Sequence, residues 1–350
     1  MTMKYSNVYI NSIAYELPTH VIYSDELEER LKPVYKKLHI PEGQLESWTG
    51  IEERRWWPEG YAVSDGAAAA GRTALNIAGF NPKDLEMLLY TGVCRDHFEP
   101  ATACHVAAKM GIKSDMLIFD ISNACLGVLN GIVEIANRIE LGQIRAGLVV
   151  SCETAREINE ISIRHLLKNP DMELFKYVIA TLTGGSGAIG VLVTDTPLSN
   201  SPKRRVLGGV VHSDVRYHNL CRWGVELQQD YATAIPFMET DSVEVMNNGI
   251  KLGQRTWHSF LRAMNWEPSD LDVSICHQVG APHRDAVLKA LKIPPEKDFP
   301  TFPFLGNIGT VSLPISAAIA EERHFLQPGH RTGLMGIGSG LNCMILGVEW

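Results

Sequence analysis

Several features that identify common classes of protein are scarce or missing in this chain of 350 residues. Its seven cysteines are an odd number without a C-x-x-C pair or a regular spacing, which argues against a disulfide scaffold and favours a reduced, cytoplasmic setting. The chain also lacks an H-E-x-x-H motif. We therefore expect neither a metal site nor a metal cofactor.

Charge and hydropathy argue against two further classes. The net charge of -8 and the pI near 5.9 disfavour a nucleic-acid-binding surface, since the only compact basic cluster, Lys203-Arg204-Arg205, is short. No apolar run reaches the roughly 18 residues that a membrane-spanning helix needs, and residues 1–11 lack the apolar core of a signal peptide. With 45% hydrophobic residues, the chain has the composition of an ordinary globular protein.

The chain is organised around the segment 116–127, with the sequence MLIFDISNACLG. An apolar run of strand length ends at Asp120, and residues 126–139 are apolar on most of a helical circumference, which predicts a buried helix. Cys125 is expected in the first turn of this helix, where the helix dipole and unpaired N–H groups would lower its pKa and make it a nucleophile. The alternative is a small buried core residue.

A short pattern occurs twice and predicts two related halves. In each place a helix is followed by a P-x-D-L turn, at 82–85 and at 268–271, and by a short apolar strand that ends in polar residues. This predicts duplicated α/β halves with a functional cleft between them. Segment 195–205 is rich in Pro, Ser and Asn without periodicity, so we place the boundary there and assign the halves to residues 1–200 and 201–350.

Two polar residues in the second half are candidates for the same cleft. His277 directly follows the apolar strand 273–276, and Asn307 lies in the glycine-flanked sequence GNIG. Either residue alone is most simply a structural hydrogen-bonding group. The glycines beside Asn307 would, however, allow the close backbone approach that a reactive site needs.

Taken together, these motifs resemble a known family. Cys125 in SNACLG, His277 in HQV and Asn307 in GNIG resemble the Cys-His-Asn set of the thiolase superfamily, in particular its β-ketoacyl synthase III branch. The sequences WTGIEERR and GIGSGLNC also resemble that branch, and the likeness extends over residues 8–350. It implies a five-layered α-β-α-β-α fold of two duplicated halves and a homodimer.

The resemblance also implies roles for individual residues. Cys125 would be acylated, while His277 and Asn307 would hydrogen-bond the thioester carbonyl oxygen where negative charge develops. The backbone N–H groups of Cys125 and Gly340 would form a second oxyanion hole.

Within the branch, the motif R-D-x-x-E-P-x-T that contains Glu99 most resembles the OleA family, the head-to-head acyl-CoA condensing enzymes of olefin biosynthesis. A malonyl-using synthase forms its carbanion by losing CO2, whereas joining two fatty acyl thioesters requires a base to remove an α-proton. The resemblance implies that Glu99 is this base and acts across the dimer interface. The alternative is a solvated loop acid held extended by Pro100. Cys104-His105 lies where this family usually has small residues; we expect the pair to be structural, but it could narrow an acyl channel and alter the chain-length preference.

The implied function is a non-decarboxylative Claisen condensation of two long-chain fatty acyl-CoA thioesters through a Cys125 acyl-enzyme, giving a 2-alkyl-3-oxo acid. No cofactor beyond the coenzyme A thioester substrates is expected, and downstream olefin-pathway enzymes are candidate partners. The alternatives are a malonyl-using synthase III, a 3-hydroxy-3-methylglutaryl-CoA synthase-like enzyme and a non-catalytic acyl-binding subunit. The sequence His277-Gln278-Val279-Gly280 disfavours the first of these, since malonyl-using enzymes carry HQAN there.

Overall fold

The computed structural model describes residues 1–112, 115–199, 201–227 and 234–350. The strands within these ranges are β1 (Thr2–Lys4), β2 (Tyr9–Glu16), β3 (His20–Tyr23), β4 (Glu53–Trp56), β5 (Met87–Tyr90), β6 (Leu117–Asp120), β7 (Ala146–Glu153), β8 (Gly187–Thr194), β9 (Arg204–Ser213), β10 (Cys221–Leu227), β11 (Ala234–Thr240), β12 (Val273–Cys276), β13 (Arg331–Gly338) and β14 (Asn342–Glu349). The α-helices are α1 (Ser24–Leu38), α2 (Gln44–Thr49), α3 (Val63–Ala78), α4 (Thr102–Met110), α5 (Gly127–Glu140), α6 (Arg156–Lys168), α7 (Met172–Leu182), α8 (Ser242–Met264), α9 (Ala281–Leu291), α10 (Phe302–Leu305) and α11 (Ser312–Glu322).

The main sheet contains the predicted repeat. Its strand order is β12-β13-β14-β9-β2-β8-β7-β5-β6, with β1 added on β9. In the first half β5 is parallel to β7, and β8 and β2 follow antiparallel; in the second half β12 is parallel to β13, and β14 and β9 follow antiparallel. The halves join where Tyr9 and Ile10 of β2 pair with Arg205 and Arg204 of β9.

The helices form three layers around these two half-sheets. Helices α3 and α4 pack on the outer face of the first half, and α8 and α9 pack on the outer face of the second half. Helices α5 and α11 lie in the central core, which contains apolar residues from both halves. The α-β-α-β-α order implied by the family resemblance is therefore confirmed.

The central position of α5 follows from its sequence. Its buried residues lie on most of its circumference, as the apolar pattern predicted, because half-sheets cover it from both sides. Strands β7 and β8 are buried along their whole length for the same reason. The division into 1–200 and 201–350 stays a prediction, and residue 200 itself lies outside the described residues. None of the described helices is long and apolar enough to cross a membrane.

Candidate active site

Cys125 lies in a tight turn between β6 and α5. Helix α5 begins at Gly127, so Cys125 precedes the helix by two residues. The prediction that Cys125 lies in the first turn of this helix is therefore wrong. The turn is held by hydrogen bonds from Leu126 N to Asn123 O at 2.9 Å and from Gly127 N to Ala124 O at 3.2 Å. Ala124 has a φ of 44°, a left-handed conformation that costs a non-glycine residue about 1–3 kcal/mol. The surrounding packing therefore imposes the conformation that presents Cys125.

The second half of the chain reaches this turn through the end of β13. A Cβ atom on Gly338 would lie 3.4 Å from the backbone nitrogen of Cys125, so the two backbones are in close approach. Nearby, Asn342 Nδ2 donates to Asn123 Oδ1 at 3.1 Å. Gly340 lies in the turn between Gly338 and Asn342. Its predicted role as an oxyanion donor stays a prediction.

His277 is brought to the same region by its place in the sheet. Its backbone nitrogen donates to Met335 O of β13 at 2.9 Å, beside Gly336, whose missing side chain leaves room for Leu126. The residue is buried, and its Nδ1 has no hydrogen-bond partner among the described residues. Burial, with a smaller contribution from His283, lowers the pKa of His277 to about 3. Its imidazole is therefore neutral near pH 7 and can accept a proton.

Asn307 is positioned by a loop that joins the two halves. Its N–H donates to Thr183 O at 2.9 Å, and its carbonyl oxygen accepts from Gly185 N at 3.0 Å. The side-chain oxygen accepts from Gly309 N at 3.1 Å. Since the amide oxygen is used within the loop, its NH2 group is the part that can donate to an oxyanion.

The electrostatic prediction for Cys125 is wrong. Burial raises the pKa of the Cys125 thiol to about 12, and Cys221 and Glu153 add to the increase. The helix starts two residues later, at Gly127. Its first N–H groups are already bonded, with Gly127 N donating to Ala124 O and Val128 N donating to Thr310 Oγ1. The resting nucleophile is consequently a neutral thiol that needs a proton acceptor.

Glu99 lies apart from the buried residues of the site. It is exposed in the loop between β5 and α4, next to Phe98, whose exposed fraction is 95%. The end of this loop is fixed because Asp120 accepts hydrogen bonds from the N–H groups of Thr102 and Ala103, both at 2.9 Å. The structure thus brings Cys125, His277 and Asn307 to the junction of the halves and presents Glu99 on the surface of the chain.

The site contains one residue that was not anticipated, Glu153, and one pair whose role stays a prediction, Cys104-His105. Sequence reasoning missed Glu153, a buried carboxylate at the end of β7; the signal that could have found it was a charged residue at the end of an otherwise uncharged strand. Cys104-His105 lies on α4, where the ring centroid of His105 is 5.4 Å from that of His97 and Cys104 is exposed. A role for this pair in shaping an acyl channel stays a prediction.

Comparisons with known proteins agree with this geometry. Residues 261–350 match the family described as 3-oxoacyl-[acyl-carrier-protein (ACP)] synthase III C terminal. Over 350 residues, the chain is 53% identical to an acyl-CoA:acyl-CoA alkyltransferase of Shewanella oneidensis, covering 99% of this chain and 100% of that protein. It is 35% identical to the protein of the same name from Xanthomonas campestris, again covering 99% and 100%.

Solved structures give the same result. A crystal structure of Xanthomonas campestris OleA with bound cerulenin matches with a TM-score of 0.93 and 34% sequence identity, covering 99% of this chain and 98% of that one. An OleA variant with one cysteine replaced by alanine matches with the same TM-score, identity and coverage. The fold and sequence likeness therefore extend over nearly the whole chain.

Proposed function

This chain belongs to the acyl-CoA:acyl-CoA alkyltransferase (OleA) family, and we propose that it joins two long-chain fatty acyl-CoA thioesters by a non-decarboxylative Claisen condensation. The observation that carries the proposal is the packing of the Cys125 turn against the end of β13, beside a neutral His277. The Asn307 amide, with its oxygen already bonded, supplies a hydrogen-bond donor at the same junction of the halves.

The first step is acyl transfer to Cys125. His277 accepts the thiol proton as the sulfur attacks the carbonyl carbon of the first acyl-CoA. The C–S bond to coenzyme A then breaks, and the departing thiolate takes the proton from His277. Backbone N–H groups of Cys125 and Gly340 are the proposed donors to the carbonyl oxygen during this step.

The second step forms the carbon-carbon bond. Glu99 removes a proton from the α-carbon of the second acyl-CoA, and the enolate oxygen accepts hydrogen bonds from His277 and Asn307. The α-carbon attacks the Cys125 thioester, and the cysteine sulfur leaves as a thiolate that takes up a proton. Water then hydrolyses the remaining coenzyme A thioester, giving a 2-alkyl-3-oxo acid.

Crystal structures of OleA variants support the assignment of Glu99. In Xanthomonas campestris OleA, variants have been solved at one cysteine, one glutamate and one histidine. The replaced glutamate precedes the replaced cysteine by the same number of positions as Glu99 precedes Cys125. This spacing favours Glu99 as the residue equivalent to that glutamate.

The exposed position of Glu99 is explained if it acts in a second copy of the chain. Phe98 beside it is exposed, and β6 is the terminal strand of the main sheet, with Leu117 exposed to 41%. An exposed apolar side chain next to an open strand edge is a surface that a second strand can cover. We therefore propose a homodimer in which each Glu99 serves the Cys125 of its partner.

Mixed dimers test the action of Glu99 across the interface. Glu99→Ala and Cys125→Ala are each expected to be inactive in condensation. If the variants are unfolded together and refolded, half of the dimers should be mixed, and one of their two sites should combine an intact Cys125 with an intact Glu99. Condensation should then recover to roughly a quarter of the wild-type rate. No recovery in verified mixed dimers would show that Glu99 acts within its own chain or not at all.

The condensation itself is tested with a long-chain acyl-CoA as sole substrate and mass spectrometry of the products. A 2-alkyl-3-oxo acid formed without any malonyl donor supports the proposal. The match of residues 261–350 to a synthase III family makes the malonyl-using reaction the second candidate. It is favoured if product appears only after malonyl-CoA is added. Glu99→Ala should still release one coenzyme A per Cys125 but form no condensed product.

The setting of the reaction follows from its chemistry. We propose that no cofactor is needed beyond the coenzyme A thioesters, since a base and hydrogen-bond donors suffice for each step. All seven cysteines are free thiols in the structure, which fits a reducing cytoplasm. Downstream olefin-pathway enzymes are the proposed partners that consume the oxo acid.

A further inference from the structure

Glu153 is a buried carboxylate with an unusual set of donors. It ends β7, has only 4% of its surface exposed, and lies among neighbours that come from separate segments of the chain. Val93 N donates to its Oε1 at 2.9 Å, and Cys94 N donates to its Oε2 at 3.1 Å. These two N–H groups start the loop that carries Glu99.

The same carboxylate contacts the Asn307 loop. A Cβ atom on Gly309 would lie 3.2 Å from the Glu153 side chain, so the backbone of the loop passes close to it. A hydrogen bond from the backbone of Thr310 also acts on the carboxyl group and lowers its pKa, against the larger effect of burial, which raises it. Glu153 thus contacts the loop that Asn307 shares with Gly309 and Thr310.

Thr310 extends this network to the nucleophile. Its Oγ1 accepts a hydrogen bond from Val128 N, in the first turn of α5, at 2.8 Å. Gly127, beside Val128, has no room for a side chain, because a Cβ atom at this position would clash with Thr91 O. The start of α5, and with it the Cys125 turn, is therefore fixed relative to the loop that Glu153 contacts.

We propose that Glu153 is a positioning residue for the condensation, which holds the Glu99 loop and the Asn307 loop at a fixed distance from the Cys125 turn. This inference rests on the proposed function. A carboxylate suits the task because its two oxygens only accept, so one buried group can receive N–H donors from several segments. A glutamine at this position would place an NH2 group against a backbone N–H.

Glu153 also acts on Cys125 through its charge. The carboxylate is among the groups that raise the pKa of the Cys125 thiol. Removing the charge should therefore increase the thiolate fraction of Cys125. A residue with a purely structural role would not change the reactivity of this thiol in that direction.

The test compares Glu153→Gln with a matched control, Glu28→Gln. Glu28 is also buried and accepts two backbone N–H groups, those of Gly43 and Leu45, both at 2.5 Å. It lies on α1, in a different hydrophobic core from the Cys125 helix. Three quantities are measured in each folded variant: release of one coenzyme A on acylation, the rate of condensation, and the rate of Cys125 alkylation by iodoacetamide at pH 8.

Glu153→Gln should slow condensation by roughly tenfold or more, while the acylation rate stays within about threefold of wild type. Cys125 alkylation should become faster. Glu28→Gln should leave all three rates nearly unchanged. The proposal is overturned if Glu153→Gln condenses at the wild-type rate, if alkylation does not become faster, or if both variants lose acylation and condensation in parallel.

Two further outcomes have a defined meaning. If wild-type protein forms no condensed product, the proposed function fails, and the alkylation rates still decide whether Glu153 acts on Cys125. If Glu153→Gln does not fold, Thr310→Val and Thr310→Ser replace it. Valine removes the oxygen that accepts from Val128 N and should slow condensation, whereas serine retains that oxygen and should not. Equal rates in these two variants would overturn the proposed network.

Discussion

The reactivity of Cys125 towards an alkylating reagent tests the electrostatics of the site most directly. The structure places the thiol where burial raises its pKa to about 12. About one thiol in 10,000 would then be ionised at pH 8, whereas about a quarter of free cysteine, with a pKa of about 8.5, is ionised at that pH. Since the thiolate is the reactive form, the reactive fraction of Cys125 should be roughly 2,000-fold smaller than that of free cysteine, and alkylation should be correspondingly slow.

The assay follows carboxamidomethylation of the peptide that contains Cys125 by mass spectrometry, from pH 6 to pH 10. The alkylation rate should rise about tenfold for each pH unit over this range, because the pKa lies above it. The other six cysteines are monitored in the same digest, and Cys125→Ala identifies the correct peptide. Acylation by acyl-CoA does not require a preformed thiolate, because His277 accepts the proton as the substrate is attacked.

One result would refute this reasoning. An alkylation rate that is high and independent of pH between 6 and 9 would indicate a preformed thiolate–imidazolium pair. In that case the helix N-terminus and His277 would stabilise the thiolate more than burial destabilises it. The His277→Ala variant distinguishes the two partners, since it would abolish the plateau only if the imidazolium is responsible.

Three further predictions concern stability. Gly127→Ala should lower the free energy of unfolding by about 1–3 kcal/mol in urea titrations, because its Cβ would clash with Thr91 O. Gly253→Ala in α8 has open space around the new Cβ, and its free energy of unfolding should rise by up to about 1 kcal/mol. Arg284→Ala should cost about 3–5 kcal/mol, because it leaves Asp298 buried without its ion pair at 2.7 Å. Burial already raises the pKa of Asp298, so this loss should be larger at pH 8 than at pH 5. Wild-type protein should lose stability as the pH falls from about 6.5 towards 4, because burial lowers the pKa of His277 in the folded protein and the unfolded chain therefore binds the proton first. His277→Gln should show a smaller loss of stability over the same pH range in thermal unfolding.

Much of the fold could be predicted because its signals are local in sequence. The repeated P-x-D-L turn precedes β5 and β12, the first strand of each parallel pair, and the apolar circumference of residues 126–139 predicted the buried helix α5. Strand ends and glycine-flanked loops likewise indicated Cys125, His277 and Asn307 as candidates. Each of these conclusions depends on residues close to one another along the chain.

The chemical state of the site depended on tertiary packing. The approach of Gly338 to Cys125, and the contact of Glu153 with both the 93–94 segment and Gly309, join segments that are far apart in the sequence. Sequence reasoning assigned Cys125 a low pKa from its expected place in the first turn of a helix. Burial reversed the sign, because desolvation depends on everything packed around the sulfur.

The amino-acid sequence by itself determined which residues could carry the chemistry and in what kind of fold, since residue type and hydrophobic period act over short distances. Only the tertiary structure decided the resting protonation of Cys125 and His277 and the link through Glu153. These properties arise from distances and burial between segments that meet only when the two halves are packed together.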